Sequence, residues 1–547
     1  MTSGPALRSF QPSRPPRGSR LSPLAWIAAT IVLALVAVAA AAIAWSGATL
    51  ASDPHALARI DVQPFGGRLA SERATTAEGR AIPLRVDHGR ITPAVKLTPG
   101  EQVSVEVVVR RPGWIGWLIG KTRRETLSVE APVANVTDRW LTGGGGLPLE
   151  LHFDHPVASV AVRHRSRVSR IQLGSPGRSV QLPQRSRAGS VQVATAPRPW
   201  ERFGPPVTVS WFPPSPKPVV LANPAPGAKI APAAPITLTF SRPVGDVLGK
   251  ARLALAPKTT GRWHQTDSHT LVFQPSGFGA PLGAHVHIDF PRSVALAADS
   301  GRSLRQGRRV EWTVPPGSTL RLHQLLAEEG YLPVGWQPDG AGVARTPRAE
   351  VEAAVNPPAG SFDWRYPNTP SELRGLWTPT QANSITRGAV MMFQDERHLT
   401  VDGFAGAQVW HALLADAIAG KRKDTGYSYV YVHRALPQSL TLWHNGHAVL
   451  RSPGNTGVPA APTQLGTFTV FEHIPVGTMS GTNPDGSHYN DPGIRWISYF
   501  NGGDAIHAFT RASFGTPQSL GCVELPLAAA AKVYPYTPIG TLVTIEN

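Results

Sequence analysis

The sequence holds one cysteine, Cys522, in 547 residues. A lone cysteine has no disulfide partner within its own chain, so its thiol is either an inert buried group or a nucleophile. A thiolate is a strong nucleophile, but near neutral pH it needs a base or a lowered pKa. Imidazole is the usual base. His507 stands 15 residues before Cys522, and the segment between them contains Ser513, Gly515 and Pro517. Such a pair would attack a carbonyl carbon and form a thioester. Gly521 lets a substrate approach the backbone closely, and the amides of Gly521 and Cys522 are placed to form an oxyanion hole. One cysteine and scattered histidines give no zinc-ligand spacing. His433, His444, His447, His473 and His488 are read as surface or strand residues.

The elements that must carry this pair read as strands. Tyr427–Val432 and Leu440–Trp443 alternate apolar and polar residues at the period of a half-buried strand. Asn445-Gly446, between Trp443 and His447–Leu450, is a strong hairpin signal. Trp496–Phe500 leads through Gly502-Gly503-Asp504 to Ile506-His507. Two adjacent strand ends joined by a loop would bring His507 and Cys522 together.

Taken in order, Pro462-Thr463-x-x-Gly466-x-Phe468, Ile506-His507 and Ser519-Leu520-Gly521-Cys522-Val523 resemble the signature of the YkuD-type L,D-transpeptidase domain, over residues 425–547. The resemblance implies that Cys522 attacks a peptide carbonyl and that His507 takes its proton. It implies that the Ala508 carbonyl orients the imidazole and that the amides of Leu520, Gly521 and Cys522 stabilise the oxyanion, with Ser519 supporting them. Tyr489 falls where some members place a tyrosine near the acyl site. Three positions depart from the family pattern. Glu524 stands where Arg or Asn is usual, Ala508 where many members have Gly, and Leu520 where many have His. A carboxylate cannot make an arginine's bidentate contacts, so Glu524 bears on how a substrate carboxylate is met.

The chain ahead of this domain is long enough for several more. Apolar residues make up 41% and charged residues 16%, which suits folded domains; Pro (54) and Gly (53) are abundant, which suits turn-rich β modules. Residues 1–23 form a basic tail with Arg8, Arg14, Arg17 and Arg20 and no acid. Residues 24–45 follow as an uncharged stretch of about 33 Å as a helix, enough to span a bilayer. Trp26 and Trp45 sit near its ends, and the arginines place the tail on the cytoplasmic side. The expectation is a retained signal anchor in the cell membrane, with the later domains extracytoplasmic; a cleaved signal peptide is the competing reading.

Residues 55–212 read as β structure, with strands at Val103–Arg110, Leu149–Phe153 and Val207–Trp211 and a loop at Gly143–Gly146. A proline-rich linker, Pro213–Pro218, follows. Residues 219–314 carry short alternating strands and resemble bacterial Ig-like wall-protein sandwiches. Residues 318–420 turn helical. Ala389, Val390 and Phe393 share one face, Asp402-Gly403 marks a turn, and Trp410 and Leu413 follow Gly406. This order resembles a small three-helix peptidoglycan-binding module. The fold expected is therefore multidomain and mainly β: an N-terminal transmembrane helix, Ig-like β-sandwich domains, the small helical module and a C-terminal β-rich L,D-transpeptidase catalytic domain.

A net charge of +17 is spread along the chain with no nucleic-acid-binding module, so no nucleic-acid partner is expected. The implied partners are peptidoglycan stem peptides, the anionic wall polymer and the membrane, with no metal and no organic cofactor. The implied reaction transfers a stem peptide through a cysteine thioester to the amine of a neighbouring stem. Water as acceptor would make the same domain a carboxypeptidase. A decayed wall-binding protein is the rival from another class; a retained lone thiol argues against it. A sortase-like reading needs an arginine after the cysteine, and none follows Cys522.

Overall fold

The computed structural model describes residues 22–143, 148–164, 166–183, 188–297 and 309–547. The four tail arginines and Gly144–Gly146 of the expected loop lie outside the described residues. The chain divides into two units, Met1–Trp211 and Phe212–Asn547, and is mainly β.

In the first unit the uncharged stretch forms one helix, Pro23–Ala44. Pro23 suits the first helical position, where no intrahelical N–H is needed. Among the described residues this is the one helix long and apolar enough to cross a membrane. The β structure after it has two separate hydrophobic cores. The first contains Ile91, Val105 and Val107, with the valines of Gln102–Arg110 turned inward at alternate positions. The second contains Leu151, Val160, Val193 and Val209. It lies under a five-stranded sheet built around the long antiparallel pair Leu149–His164 and Arg167–Leu182.

The second unit opens with a five-stranded and a three-stranded sheet between residues 219 and 313. The two share a core that includes Leu238, Phe240, Phe273, Ile288 and Trp312. The helical stretch follows. Ser384–Glu396 and Ala407–Ala419 are its longest helices. It also contains Thr319–Glu328, Pro347–Val355 and a hairpin of Val334–Pro338 with Gly360–Trp364. The expected boundary near residues 420–425 is crossed by a single core, in which Phe393 and Leu413 pack with Tyr429, Trp443 and Leu542. The contact is tight: a Cβ on Gly388 would lie 2.4 Å from the Gly540 carbonyl oxygen.

Two sheets make up the C-terminal domain. One runs His447–Pro453, Ser439–His444, Ser428–His433, Leu542–Glu546, Gly466–Thr469. The other runs Glu472–Thr482, His488–Asn501, Asp504–Ala508, Val523–Leu525. Asn445 (φ 48°) and Gly446 (φ 90°) close the hairpin between Ser439–His444 and His447–Pro453. Positive φ at both central residues matches the right-handed twist of the strands they join. Val430, Leu440, Ile506, Val523, Leu525 and Val543 fill the core shared by these two sheets.

Candidate active site

His507 and Cys522 are positioned by a parallel strand pair. Asp504–Ala508 lies beside Val523–Leu525 with Ile506 opposite Val523 and His507 opposite Glu524. Side chains alternate between the two faces of a sheet. Ile506, Ala508, Val523 and Leu525 therefore share one face, and all four enter the domain core. Ala505, His507, Cys522 and Glu524 fall on the other face. The strand pairing thus puts the imidazole and the thiol on one side of the sheet, at neighbouring positions.

His507 is buried, and its Nδ1 lies 3.0 Å from the Ala508 carbonyl oxygen. A carbonyl can only accept, so Nδ1 carries the proton and the neutral ring leaves Nε2 bare. Burial lowers the His507 pKa below its ordinary value; the Ala508 carbonyl and the Glu524 carboxylate oppose that shift. The ring is therefore neutral at pH 7, with a base at Nε2.

Cys522 is partly exposed and packs against a small cluster of Ile494, Ile497 and Ala505, as Tyr499 and Phe509 also do. Burial pushes the thiol up to about 12, and the nearby carboxylates of Asp504 and Glu524 add to the rise, against a hydrogen bond from the Ala505 backbone. The resting sulfur is a thiol, and it donates to the Gly503 carbonyl at 3.6 Å. Attack therefore requires the thiol to turn away from Gly503 and give up its proton as it reacts. Hydrogen bonds at such sites commonly tighten only when substrate binds.

The turn before Cys522 is held by Ser519. This buried hydroxyl donates to the Cys522 carbonyl at 2.6 Å and accepts from the Gly521 amide at 3.3 Å. Of the amides expected to cradle an oxyanion, that of Gly521 is thus engaged within the turn. Leu520 lies between these two residues. Gly521 has φ +118°, and a Cβ there would meet Asp504 Oδ1 at 2.1 Å. Tyr489 lies on His488–Asn501, in the hairpin with Glu472–Thr482. Its pKa is raised by burial and then by Cys522, which places it in the field of the sulfur. Tyr499 on the same strand responds in the same way and packs against the same small cluster as Cys522.

The sequence of residues 427–545 matches the sequence model of the YkuD family, described as the L,D-transpeptidase catalytic domain. This stretch is a YkuD domain. Among solved structures the chain is similar to an L,D-transpeptidase from Mycobacterium smegmatis, with 14% identity and a TM-score of 0.21, covering 60% of this chain and 97% of that one. It is similar to the catalytic domain of the E. faecium L,D-transpeptidase, with 23% identity and a TM-score of 0.20, covering 22% and 99%. It is also similar to L,D-transpeptidase 3 from Mycobacterium tuberculosis in complex with a faropenem-derived adduct, with 12% identity and a TM-score of 0.21, covering 60% and 97%. No curated protein matches the chain.

Within the YkuD domain, Glu524 has a partner that its position in the motif does not suggest. Its buried carboxylate accepts two hydrogen bonds from Arg511, Nε to Oε2 at 2.8 Å and Nη2 to Oε1 at 2.7 Å. Arg511 also donates to the Gln518 carbonyl at 3.1 Å, and its guanidinium lies 4.6 Å from the centre of the Phe509 ring. Asn455, fully buried, accepts from the Gly515 amide at 2.9 Å and pairs with Glu524 through both backbone hydrogen bonds. The loop from His507 to Cys522 is therefore pinned from inside by Arg511 and from below by Asn455. Sequence reading named neither residue. Its usable signal was the unmatched acid in the motif, which needs a cation nearby once it is buried.

Proposed function

We propose that this protein is a membrane-anchored cell-wall L,D-transpeptidase in which Cys522 is the nucleophile and His507 the base. The observation that carries the reading is that His507 lies in one strand and Cys522 directly before the strand paired with it, on the same side by alternation, inside a YkuD domain. In the proposed reaction the neutral Nε2 of His507 takes the thiol proton as sulfur attacks the carbonyl between a diaminopimelate L-centre and the terminal D-alanine. The tetrahedral oxyanion is met by backbone amides of the turn, those of Leu520 and Cys522 foremost. The imidazolium returns its proton to the departing D-alanine amine, which leaves a thioester on Cys522. The amine of a neighbouring stem then gives a proton to His507 and displaces the sulfur, forming a 3–3 crosslink, and His507 passes that proton to the departing sulfur to restore the thiol. Tyr489 lines the acyl site. Neither a metal nor an organic cofactor takes part.

The same thioester opened by water would make a carboxypeptidase, and the acceptor is what separates the two. The reading also assigns Pro23–Ala44 as a signal anchor with the later domains on the wall side. Residues 219–314 serve as an Ig-like spacer and residues 318–420 as a wall-binding module fused to the catalytic domain. The test is intact-mass spectrometry of the full chain in detergent with a carbapenem and with a tetrapeptide-stem donor. We expect one adduct on Cys522 that is lost in Cys522→Ala. A folded, reduced protein that gives no adduct with either compound would overturn the reading in favour of a wall-binding protein.

A further inference from the structure

The helix Gly113–Ile119 faces the wrong way for a solvated domain. Its small inward side is Ile115 and Gly116, while Trp114, Trp117 and Leu118 are 56%, 78% and 53% exposed. Trp114 meets Phe65 edge to face at 6.1 Å, and Val62 nearby is exposed as well. Contiguous exposed aromatic surface of this kind marks a contact with a partner or a membrane.

The position of this helix is set by the apolar helix Pro23–Ala44. No loose linker follows Ala44. The Trp45 carbonyl accepts from the Phe65 amide at 3.1 Å, and the Gly47 carbonyl from the Gln63 amide at 2.9 Å. Ser46 is fully buried, and a strand begins at Ala48. Arg111 ties the segment just after the long helix to the end of the short one. Its Nε donates to the Ser46 carbonyl at 3.0 Å, and its Nη1 to the Ile119 carbonyl at 3.0 Å. Where the long helix leaves a bilayer, the short one is therefore held at the same depth.

The charge pattern fits the same surface. Arg110 and Lys121 are exposed on either side of the helix, while Arg123 pairs with Glu125 and Arg124 with Glu106. A short apolar segment with tryptophans, flanked by cations, suits the headgroup region of an anionic membrane.

We infer that Trp114, Trp117 and Leu118 insert into the outer leaflet of the bilayer crossed by Pro23–Ala44, with Arg110 and Lys121 on anionic phospholipid headgroups. The inference rests on the anchor reading of that helix. It makes a two-point attachment that holds the first β domain against the membrane instead of letting it swing.

The test uses the full chain in anionic phosphatidylglycerol nanodiscs. In a Cys522→Ser background, Leu118→Cys and, separately, Leu35→Cys carry an environment-sensitive fluorophore. Both labels should emit blue-shifted light and be quenched by lipids with nitroxides on their acyl chains, and Trp117→Ser should weaken quenching at position 118 alone. A quenched label at 35 with a water-like label at 118 overturns the inference and leaves the anchor intact. A label at 118 that is blue-shifted but not quenched by lipid overturns it in favour of a protein partner. Water-like emission from both positions overturns the anchor reading and the inference with it.

Discussion

Gly521→Ala tests the geometry of the nucleophile turn most directly. Two costs arise. At φ +118° an L-residue is strained, by about 1–3 kcal/mol. The new Cβ would also lie 2.1 Å from Asp504 Oδ1, so the carboxylate must swing away and lose its 3.2 Å hydrogen bond from Asn501, worth about 1 kcal/mol. Together they destabilise the protein by about 2–4 kcal/mol. The larger effect falls on chemistry. Relief of the strain moves the turn that carries Cys522, and a shift on the order of 1 Å at a nucleophile costs roughly 100-fold in rate. Urea denaturation reads the first effect, and the time course of carbapenem acylation by intact mass reads the second. Adding Asp504→Ala to Gly521→Ala removes the clash but neither relieves the strain nor restores the bond from Asn501, so it should recover little of the stability and little of the rate. Wild-type acylation and stability in Gly521→Ala would refute the claim that this turn needs a glycine.

Three further outcomes follow from the ionisable groups. Glu524→Gln breaks the bidentate pair with Arg511 and should lower stability by about 1–3 kcal/mol; an unchanged urea midpoint would show that the pair does not hold the loop. Burial lowers the His507 pKa, so the imidazole stays a competent base below the ordinary histidine value. The acid limb of the acylation rate should therefore lie under pH 6.5, the ordinary value, and should move lower still in Glu524→Gln, which removes an anion that favours the imidazolium; a limb above 6.5 would count against His507 as the base. Glu329 is buried, neither carboxylate oxygen has a hydrogen-bond partner among the described residues, and it lines a cavity of about 430 Å³. Its pKa is raised by burial from 4.5 to about 9. The folded state thus holds a proton that the unfolded chain releases above 4.5, so stability falls as pH rises towards 9. Glu329→Gln has no such proton to lose, and its stability relative to the parent should grow between pH 5 and 9; a difference that stays constant with pH would remove Glu329 as the cause.

How much of this was legible in sequence depends on the range over which each signal acts. The Asn445-Gly446 turn is local, because its positive φ values are written in two residues. The His507 and Cys522 strands are nearly local, since both lie within one short loop connection. The Arg511–Glu524 pair is not, because it forms across the parallel register that sets His507 opposite Glu524, and residue spacing carries no register. The same holds for Tyr499, which reaches the cluster beside Cys522 only through the pairing of Asp504–Ala508 with His488–Asn501. Gly113–Ile119 was hidden for another reason. Seven residues are two helical turns, and an apolar run that short has no period by which to tell a helix from a buried strand.

The shared core of the helical stretch and the C-terminal domain shows the same limit from the other side. Sequence places a change of period near residues 420–425, and a change of period reads as a boundary. Yet Phe393 and Leu413 bury the surface that Tyr429, Trp443 and Leu542 also bury. Neither segment can close that face with water on its other side, because apolar area left open costs about 25 cal/mol per Å². A boundary in pattern is therefore not a boundary in energy. The Cys522 sheet stands on a scaffold that begins in the helices before it, and a catalytic fragment cut near residue 425 would expose Tyr429 and Trp443.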